Sequence, residues 1–221
     1  MSTLIVSGGL VDAAWAREYL GERSFTHTIA VDGGLLAVQA LGREPDYIVG
    51  DFDTLAPEAL ECYETRSEVQ IRRFNPEKDE TDTQIAIELA MEFEQAAAPE
   101  MREIVLLGAI GSRMDHTLAN LCLLEKCMQA GIPAYAVNAN NRISVHRQGF
   151  VLQRSCSFGP FLSFVALSQE VTGLTLTGLK YPLDGHVLRQ DSSLCISNEF
   201  AGEEAEVAFE SGILMMIQAK D

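Results

Sequence analysis

The hydrophobic pattern of this chain changes its period near residue 140, and this change constrains the fold more than any other feature. Before it, short apolar runs alternate with longer segments in which apolar residues recur every three or four positions. The short runs predict strands and the longer segments predict helices. The predicted strands cover 3–6, 28–31, 47–49, 69–73, 104–107 and 134–137. This alternation predicts an α/β fold with a mostly parallel, Rossmann-like sheet.

Four helices are predicted between these strands, each marked by a polar cap or by a glycine at its end. They run from Asp12 to Gly21, over 35–41 with Gly42 behind it, from Thr81 or Asp82 onward, and from Asp115 or His116 to Gly131.

From about residue 143 the helical period is lost, and short apolar runs recur between turn residues. These runs predict strands at 161–167, 171–177, 187–190, 194–197, 207–209 and 213–217. The polar, turn-prone segment 138–141 lies between the two patterns. We therefore expect an α/β domain over residues 1–140 and a smaller all-β sandwich over residues 141–221.

The charge of the chain limits its partners. Its 32 acidic and 16 basic residues give a formal net charge of −16, which repels nucleic acids and anionic membranes. An enzyme of this charge that handles phosphates needs a divalent cation between its own acids and the substrate. The five cysteines form no CxxC pair, and the N-terminus lacks the pattern of a signal peptide. We expect reduced thiols and a cytoplasmic location.

Several aspartates follow predicted strands or open predicted helices, namely Asp32, Asp51, Asp53, Asp82 and Asp115. In a doubly wound sheet the carboxyl ends of the strands meet at one crevice, so these side chains can converge. Asp51 and Asp53 are two positions apart and point the same way in extended backbone, which suits Mg²⁺. We choose Asp82 as a further ligand. Taken singly, the 50–54 segment also fits a solvated loop, and 78–82 also fits a helix cap.

Three glycine turns accompany these acids. The turn at 108–116 follows a strand and opens a helix, so its N–H groups can cradle a phosphate while Arg113 pairs with the charge. It lacks the Gly-Lys-Ser/Thr of a Walker A loop. Asp32-Gly33-Gly34 is a second turn of this kind, whereas we expect Ser7-Gly8-Gly9 to be a plain tight turn.

Taken in order, these motifs resemble those of the thiamine pyrophosphokinase (thiamine diphosphokinase) family of the bacterial type. The resemblance covers nearly the whole chain. It is carried by Asp32-Gly33-Gly34, Pro45-Asp46, Gly50-Asp51-Phe52-Asp53-Thr54, Lys78-Asp79-Glu80-Thr81-Asp82, Gly111-Ser112-Arg113-Met114-Asp115-His116, Gly178-Leu179-Lys180-Tyr181-Pro182-Leu183, Ser197-Asn198-Glu199 and Gly212-Ile213-Leu214.

The resemblance implies that ATP and thiamine give AMP and thiamine diphosphate, in a homodimer with thiamine near the interface. It implies a nucleotide- and Mg²⁺-binding catalytic domain followed by a thiamine-binding β-sandwich. The residues it assigns are Asp51, Asp53 and Asp82 for Mg²⁺ and catalysis; Arg113 for catalysis and phosphate; Asp32, Gly33, Asp79, Gly111 and Asp115 for the nucleotide and phosphates; and Ser197 and Asn198 for thiamine. Tyr181 matches an aromatic position of the family.

Two departures from the family pattern stand out. Ala109 and Ser112 occupy positions where the family commonly has glycine, which alters the freedom of the loop. Thr54 replaces the commoner serine and keeps the hydroxyl. Two other functions remain open from the residues alone: a metal-dependent phosphohydrolase that uses water as the nucleophile, and a module that binds Mg-nucleotide without turnover.

Overall fold

The computed structural model describes residues 2–21, 23–53, 55–75 and 79–221. Thr54 and Lys78 of the motifs above lie outside these residues. The chain forms two compact units, residues 1–139 and residues 140–221. None of the helices in the described part is long and apolar enough to cross a membrane.

The first unit is a parallel sheet with helices between its strands. Its elements are β1 (Thr3–Val6), α1 (Ala13–Leu20), β2 (His27–Val31), α2 (Gly34–Ala40), β3 (Tyr47–Gly50), α3 (Pro57–Glu64), β4 (Gln70–Arg73), α4 (Asp82–Gln95), a 3₁₀ turn (Pro99–Met101), β5 (Ile104–Leu107), α5 (Met114–Gln129) and β6 (Ala134–Val137). Its six strands lie in the order β4-β3-β2-β1-β5-β6, and each pairing is parallel. The predicted α/β class is confirmed.

The direction of winding reverses beside β1. The chain first builds outward through β2, β3 and β4, and then adds β5 on the other side of β1. β1 and β5 are paired directly, with Val6 opposite Leu107 at their carboxyl ends. In open parallel sheets such a reversal leaves a crevice outside the carboxyl ends of the two strands, where ligands bind.

The core of this unit lies on both faces of the sheet. All four residues of β1 and of β5 are buried, as expected of central parallel strands covered by helices on both sides. The helix α4 buries Ala86, Ile87 and Leu89. Each large apolar side chain removed from water in this way contributes roughly 1.5–3 kcal/mol to folding.

One helix start was predicted wrongly, and one helix was not predicted. The helix α5 begins at Met114, with Arg113 at the cap position, so the predicted cap at Asp115 or His116 is wrong. Asp115 lies in the first turn instead, where a negative charge is favourable to the helix dipole. We did not predict α3, although Pro57 at its first turn is a usual helix start.

The second unit is a β-sandwich. Its strands are β7 (Asn141–His146), β8 (Phe150–Gln153), β9 (Phe161–Ala166), β10 (Glu170–Thr177), β11 (Leu183–Arg189), β12 (Glu204–Ala208) and β13 (Leu214–Ala219). β13 pairs antiparallel with β7 and β9, while the other sheet has the antiparallel order β11-β10-β12-β8. One buried cluster joins both sheets, with Phe164 from one and Leu174 and Val207 from the other. The predicted sandwich is confirmed.

The strand predicted at 194–197 is wrong, because this segment forms turns. Residues 194–196 form a short apolar run, yet only Cys195 is buried while Leu194 and Ile196 are exposed. Ser197 has a positive φ of 57°, which takes it out of the strand region. The strands β7 and β8 were not predicted, although residues 142–146 alternate between polar and apolar as a half-buried strand does.

Candidate functional site

Backbone turns are packed closely at the point where the winding reverses. A Cβ on Gly34 would lie 2.0 Å from the carbonyl oxygen of Val6, at the end of β1. A Cβ on Gly108, just after β5, would lie 2.2 Å from the carbonyl oxygen of Ser7. Gly108 also has a φ of +67°, which a residue with a side chain rarely adopts. Bare backbone therefore lines the crevice, as a site for phosphates requires.

Ser7-Gly8-Gly9, which we expected to be a plain tight turn, belongs to this crevice. The Ser7 and Gly9 N–H groups donate to the carbonyls of Leu107 and Gly108, at 2.9 and 3.1 Å. The Ser7 hydroxyl lies 3.1 Å from that of Thr83, in the first turn of α4. Only the strand order reveals this location, because a Ser-Gly-Gly turn is not distinctive in sequence.

Asp32 lies directly after β2 and contacts the turn after β3. Its Oδ1 accepts a hydrogen bond of 3.3 Å from the N–H of Phe52. A Cβ on Gly50 would lie 1.8 Å from this oxygen, so the carboxylate fits only because residue 50 is glycine. Asp32 and Phe52 have φ values of 45° and 63°. Such backbone strain costs of order 1–3 kcal/mol per residue and is concentrated at functional sites.

Negative charges are crowded around Asp32. Its pKa is raised from 3.8 to about 7, first by burial and next by the charge of Asp82, which also lies within hydrogen-bonding reach. The charge of Asp51 raises this pKa further, while the Phe52 hydrogen bond opposes the shift. The predicted convergence of acids from β2, β3 and α4 is thus seen for Asp32, Asp51 and Asp82.

The other predicted acids lie farther out. Asp53 is exposed, and its N–H donates to Asp51 Oδ1 at 3.0 Å. Asp79 is exposed before α4, whose cap is Thr81, since the Thr81 hydroxyl accepts from the N–H of Gln84 at 3.2 Å. Asp82 is therefore the first residue of the helix and is not used as its cap.

The chemistry of these donors fits Mg²⁺. In the described part of the chain, no three Asp, Glu, His or Cys side chains are arranged so that they could hold a metal ion. Mg²⁺ needs no such enclosure, because it usually takes one or two carboxylates and completes its shell with water and phosphate. Crowded carboxylates, one of them with a raised pKa, provide hard oxygen ligands that a divalent cation would stabilise.

Replacing Asp32 tests the raised pKa of its carboxyl, which burial raises first and the charge of Asp82 second. Because the folded-state pKa is raised, ionisation of Asp32 destabilises the fold, and this penalty grows as the pH rises from about 4 to about 7. Asp32→Asn should therefore stabilise the metal-free protein by about 1–2 kcal/mol at pH 8, allowing for solvent screening of a half-buried group. The stabilisation should be smaller at pH 5. Urea unfolding in EDTA at both pH values measures it.

The exposed Asp53 in the neighbouring turn provides the control for this comparison. Asp53→Asn removes a carboxylate that is not among the causes of the Asp32 shift, so its effect on stability should not grow with pH. A stabilisation by Asp32→Asn that is equal at pH 5 and pH 8 would contradict a raised pKa of Asp32 in the folded protein.

Arg113 is held by Asp115 in this structure. Its Nη2 and Nε donate to the two carboxylate oxygens at 2.7 and 3.3 Å, and both side chains are largely exposed. The Arg113 hydrogen bond lowers the pKa of Asp115 to about 2, helped by the N–H of His116. The guanidinium of Arg113 is therefore paired within the protein, two residues after Gly111.

Side chains of α5 hold the 108–111 turn, and sequence reasoning missed them. The Gly111 N–H donates to the Thr117 hydroxyl at 3.1 Å, and Asn120 Nδ2 donates to the Ala109 carbonyl at 3.0 Å. Gly111 was predicted to bind phosphate, but its N–H is already used inside the protein. The available sequence signal for this support was a Thr and an Asn one helical turn apart in the helix that follows the turn.

In the second unit, Ser197 and Asn198 differ in what they offer a ligand. Ser197 is exposed in a left-handed conformation, and its N–H donates to the Ser163 hydroxyl at 3.0 Å. Asn198 is only 2% exposed. Its Oδ1 accepts from the N–H of Tyr181 at 3.0 Å and of Glu199 at 2.9 Å, while Nδ2 donates to the Tyr181 carbonyl at 2.8 Å. The Asn198 side chain therefore holds Tyr181, which is 58% exposed.

A cavity of about 500 Å³ opens elsewhere, at the amino ends of β1 and β5. Two of its charged side chains are used within the protein. Arg102 donates to the carbonyls of Ala97 and Gln95, and Glu103 is paired with Arg23. It lies at the opposite ends of the strands from the carboxylates and glycine turns, so we do not assign the chemistry to it.

Two family models match the chain, one in each unit. Residues 21–136 match the model described as thiamin pyrophosphokinase, catalytic domain. Residues 149–214 match the model described as thiamin pyrophosphokinase, vitamin B1 binding domain. The chain belongs to the thiamin pyrophosphokinase family.

Individual relatives agree with this assignment. The chain is 32% identical over 193 residues to the thiamine pyrophosphokinase of Bacillus subtilis, covering 87% of both chains. The crystal structure of a Bacillus subtilis thiamine pyrophosphokinase superposes with a TM-score of 0.85 at 29% identity, over all of both chains. That of Geobacillus thermodenitrificans gives 0.84 at 33% identity, over 100% of this chain and 98% of the other.

Membership of the thiamin pyrophosphokinase family confirms the resemblance inferred from the motifs. The two alternatives, a phosphohydrolase and a non-catalytic nucleotide-binding module, find no support in these comparisons. The catalytic-domain match covers the carboxylates around Asp32 and the 108–111 turn, and the B1-binding match covers Ser197 and Asn198.

Proposed function

We propose that this protein is a thiamine diphosphokinase, which transfers the diphosphoryl group of ATP to the hydroxyl of thiamine and releases AMP. The observation that carries the proposal is the cluster of Asp32, Asp51 and Asp82 beside glycine turns at the reversal point of the sheet. This is the site expected for a nucleotide whose charge is neutralised by a metal. The acceptor is proposed to be thiamine because the chain belongs to the thiamin pyrophosphokinase family.

The α/β part, residues 1–140, is proposed to bind the nucleotide. The turns after β1, β2 and β5 let the phosphates approach bare backbone, with Gly33 and Gly111 among the lining residues. Arg113 binds a phosphate oxygen after leaving Asp115, with the fork geometry that guanidinium groups offer to phosphates. Asp32, Asp79 and Asp115 lie around the nucleotide in this proposal.

Mg²⁺ is proposed to be held by Asp51, Asp53 and Asp82. The three come from the β3 turn and the start of α4, and the pKa of nearby Asp32 is raised by burial and then by the charges of Asp82 and Asp51. An ion held by these carboxylates would supply neutralisation of the phosphate charge. The protein's own part is to keep Asp51 oriented, which the hydrogen bond from the Asp53 N–H does at 3.0 Å.

The transfer itself is one displacement. A bond forms between the thiamine hydroxyl oxygen and the β-phosphorus of ATP, and the bond from that phosphorus to the α–β bridging oxygen breaks. AMP leaves with this oxygen, and the hydroxyl proton passes to solvent. Such reactions depend mainly on in-line positioning and charge neutralisation. Here the glycine turns position the phosphates, and Arg113 neutralises developing charge.

The β-sandwich, residues 141–221, is proposed to bind thiamine in a homodimer, with thiamine near the interface. We propose different parts for the two residues. Ser197 is exposed and can reach a ligand, whereas Asn198 acts by holding the Tyr181 backbone. We also propose a cytoplasmic location, in keeping with five cysteines that are unpaired in the structure.

Product identification tests the function. Purified protein with Mg²⁺, ATP and thiamine should form AMP and thiamine diphosphate in equal amounts, and no AMP when thiamine is left out. Liquid chromatography of the reaction mixture measures all species. Formation of ADP with thiamine monophosphate, or of AMP without thiamine, would refute the proposal, and light scattering on the same sample tests the homodimer.

A further inference from the structure

Two side chains of α5 hold the turn 108–111 by hydrogen bonds, and neither takes part in the proposed reaction. Thr117 and Asn120 are each only 5% exposed. The Thr117 hydroxyl accepts from the Gly111 N–H at 3.1 Å and donates to the Gly111 carbonyl at 3.3 Å. The Asn120 amide donates to the Ala109 carbonyl at 3.0 Å. The Ala109 carbonyl and the N–H and carbonyl of Gly111 are therefore all hydrogen-bonded to side chains of α5.

The position of this turn sets the width of the crevice. The Gly9 N–H donates to the Gly108 carbonyl at 3.1 Å, so the β1 turn and the 108–111 turn are in contact, and a Cβ on Gly111 would lie 3.5 Å from the Cα of Gly9. Any shift of Gly111 therefore changes the space beside the β1 turn. A backbone held by three hydrogen bonds to a rigid helix is pre-organised, which reduces the entropy cost of binding a ligand.

Ala109 makes this support more important. It stands where the family commonly has glycine, and its side chain is 2% exposed. Alanine gives the turn fewer backbone conformations than glycine. The Asn120 amide selects one of them by binding the Ala109 carbonyl.

We propose that Thr117 and Asn120 are positioning residues for the nucleotide: they hold the 108–111 turn so that the crevice beside the β1 turn accepts the phosphates of Mg·ATP. This inference rests on the proposed function. Neither residue touches the substrate. Their loss raises the KM for ATP and leaves the KM for thiamine unchanged.

Isosteric substitutions provide the test. Thr117→Val removes the hydroxyl at constant shape, and Asn120→Asp replaces the donor amide by an oxygen that faces the Ala109 carbonyl. Each should raise the KM for ATP about ten-fold, since a buried polar group loses its partner. Thr117→Ser keeps the hydroxyl and should stay within about two-fold of the wild type. Thr117→Ala replaces Thr117→Val if the valine variant does not fold.

Leu124→Ala is the matched control, because Leu124 is buried on the same helix and lies away from the turn. It should lower the unfolding midpoint and leave the KM for ATP unchanged. The proposal is overturned if Thr117→Val and Thr117→Ser have the same KM, or if Leu124→Ala raises the KM as much as Thr117→Val.

Calorimetry with Mg·ATP alone separates this inference from the proposed function. If the wild type binds Mg·ATP but makes no thiamine diphosphate, the function is wrong and the affinities of the variants still decide the positioning role. If the wild type binds no Mg·ATP, both are wrong.

Discussion

Replacing Asp51 by asparagine is expected to reduce turnover by about 10²–10³-fold, the loss typical when a charge-stabilising group is removed from an active site. Asp51 lies directly after β3 and contributes to the negative charge around Asp32. The amide of asparagine keeps an oxygen that can accept from the Asp53 N–H, so the turn should be retained. The rate of AMP formation at saturating ATP and thiamine measures the effect.

The Mg²⁺ dependence of the Asp51→Asn variant distinguishes loss of a ligand from loss of the fold. If Asp51 binds the ion, the variant needs more Mg²⁺ for half-maximal activity, while its circular dichroism is unchanged. Asp184→Asn, at an exposed position of β11 in the other unit, is the control and should retain full activity. Wild-type turnover by Asp51→Asn would remove Asp51 from the site.

The second large effect is expected from Gly108→Ala, which should destabilise the protein by about 3 kcal/mol or more. Two costs add at this position. The φ of +67° is strained for alanine, and the new Cβ would lie 2.2 Å from the Ser7 carbonyl oxygen. The backbone of Ser7 cannot move freely, because its N–H is bonded to Leu107. Urea unfolding measures the loss, and the KM for ATP should rise in the fraction that folds.

Gly131→Ala separates the two costs. Gly131 has a φ of +70°, like Gly108, but nothing lies within 4 Å of its Cβ position. This variant should lose only about 1 kcal/mol, the cost of backbone strain alone. Equal losses in the two variants would show that close packing against Ser7 does not contribute.

Most of the secondary structure was predictable, because its determinants are neighbours in sequence. The strands 104–107 and 134–137 match β5 and β6 residue for residue, since a short apolar run between turns permits few alternatives. Asp12 caps α1 as predicted, through its Oδ1 and the N–H groups of Ala14 and Trp15. The segment 194–197 was predicted wrongly because a short apolar run alone does not show whether a partner strand is present.

The candidate site was predictable in part. The rule that carboxyl ends of parallel strands converge predicted that Asp32, Asp51, Asp53, Asp82 and Asp115 can come together. The structure shows this for Asp32, Asp51 and Asp82. That rule does not show which N–H groups are already used. Gly111 was predicted to bind phosphate, but its N–H donates to the Thr117 hydroxyl. Asn198 was predicted to contact thiamine, but its side-chain oxygen accepts from the N–H groups of Tyr181 and Glu199.

The sequence by itself therefore determined the hydrophobic period of each segment and the helix caps. It also determined the order of the acidic and glycine motifs, and through them the family. Tertiary structure alone decided the strand order, which brings Ser7-Gly8-Gly9 to the reversal point of the sheet. It also decided the raised pKa of Asp32 and the role of Thr117 and Asn120. The physical reason is distance along the chain. Periods and caps arise between residues a few positions apart, whereas the charge felt by Asp32 comes from Asp82, fifty residues away, and depends on how the turns pack.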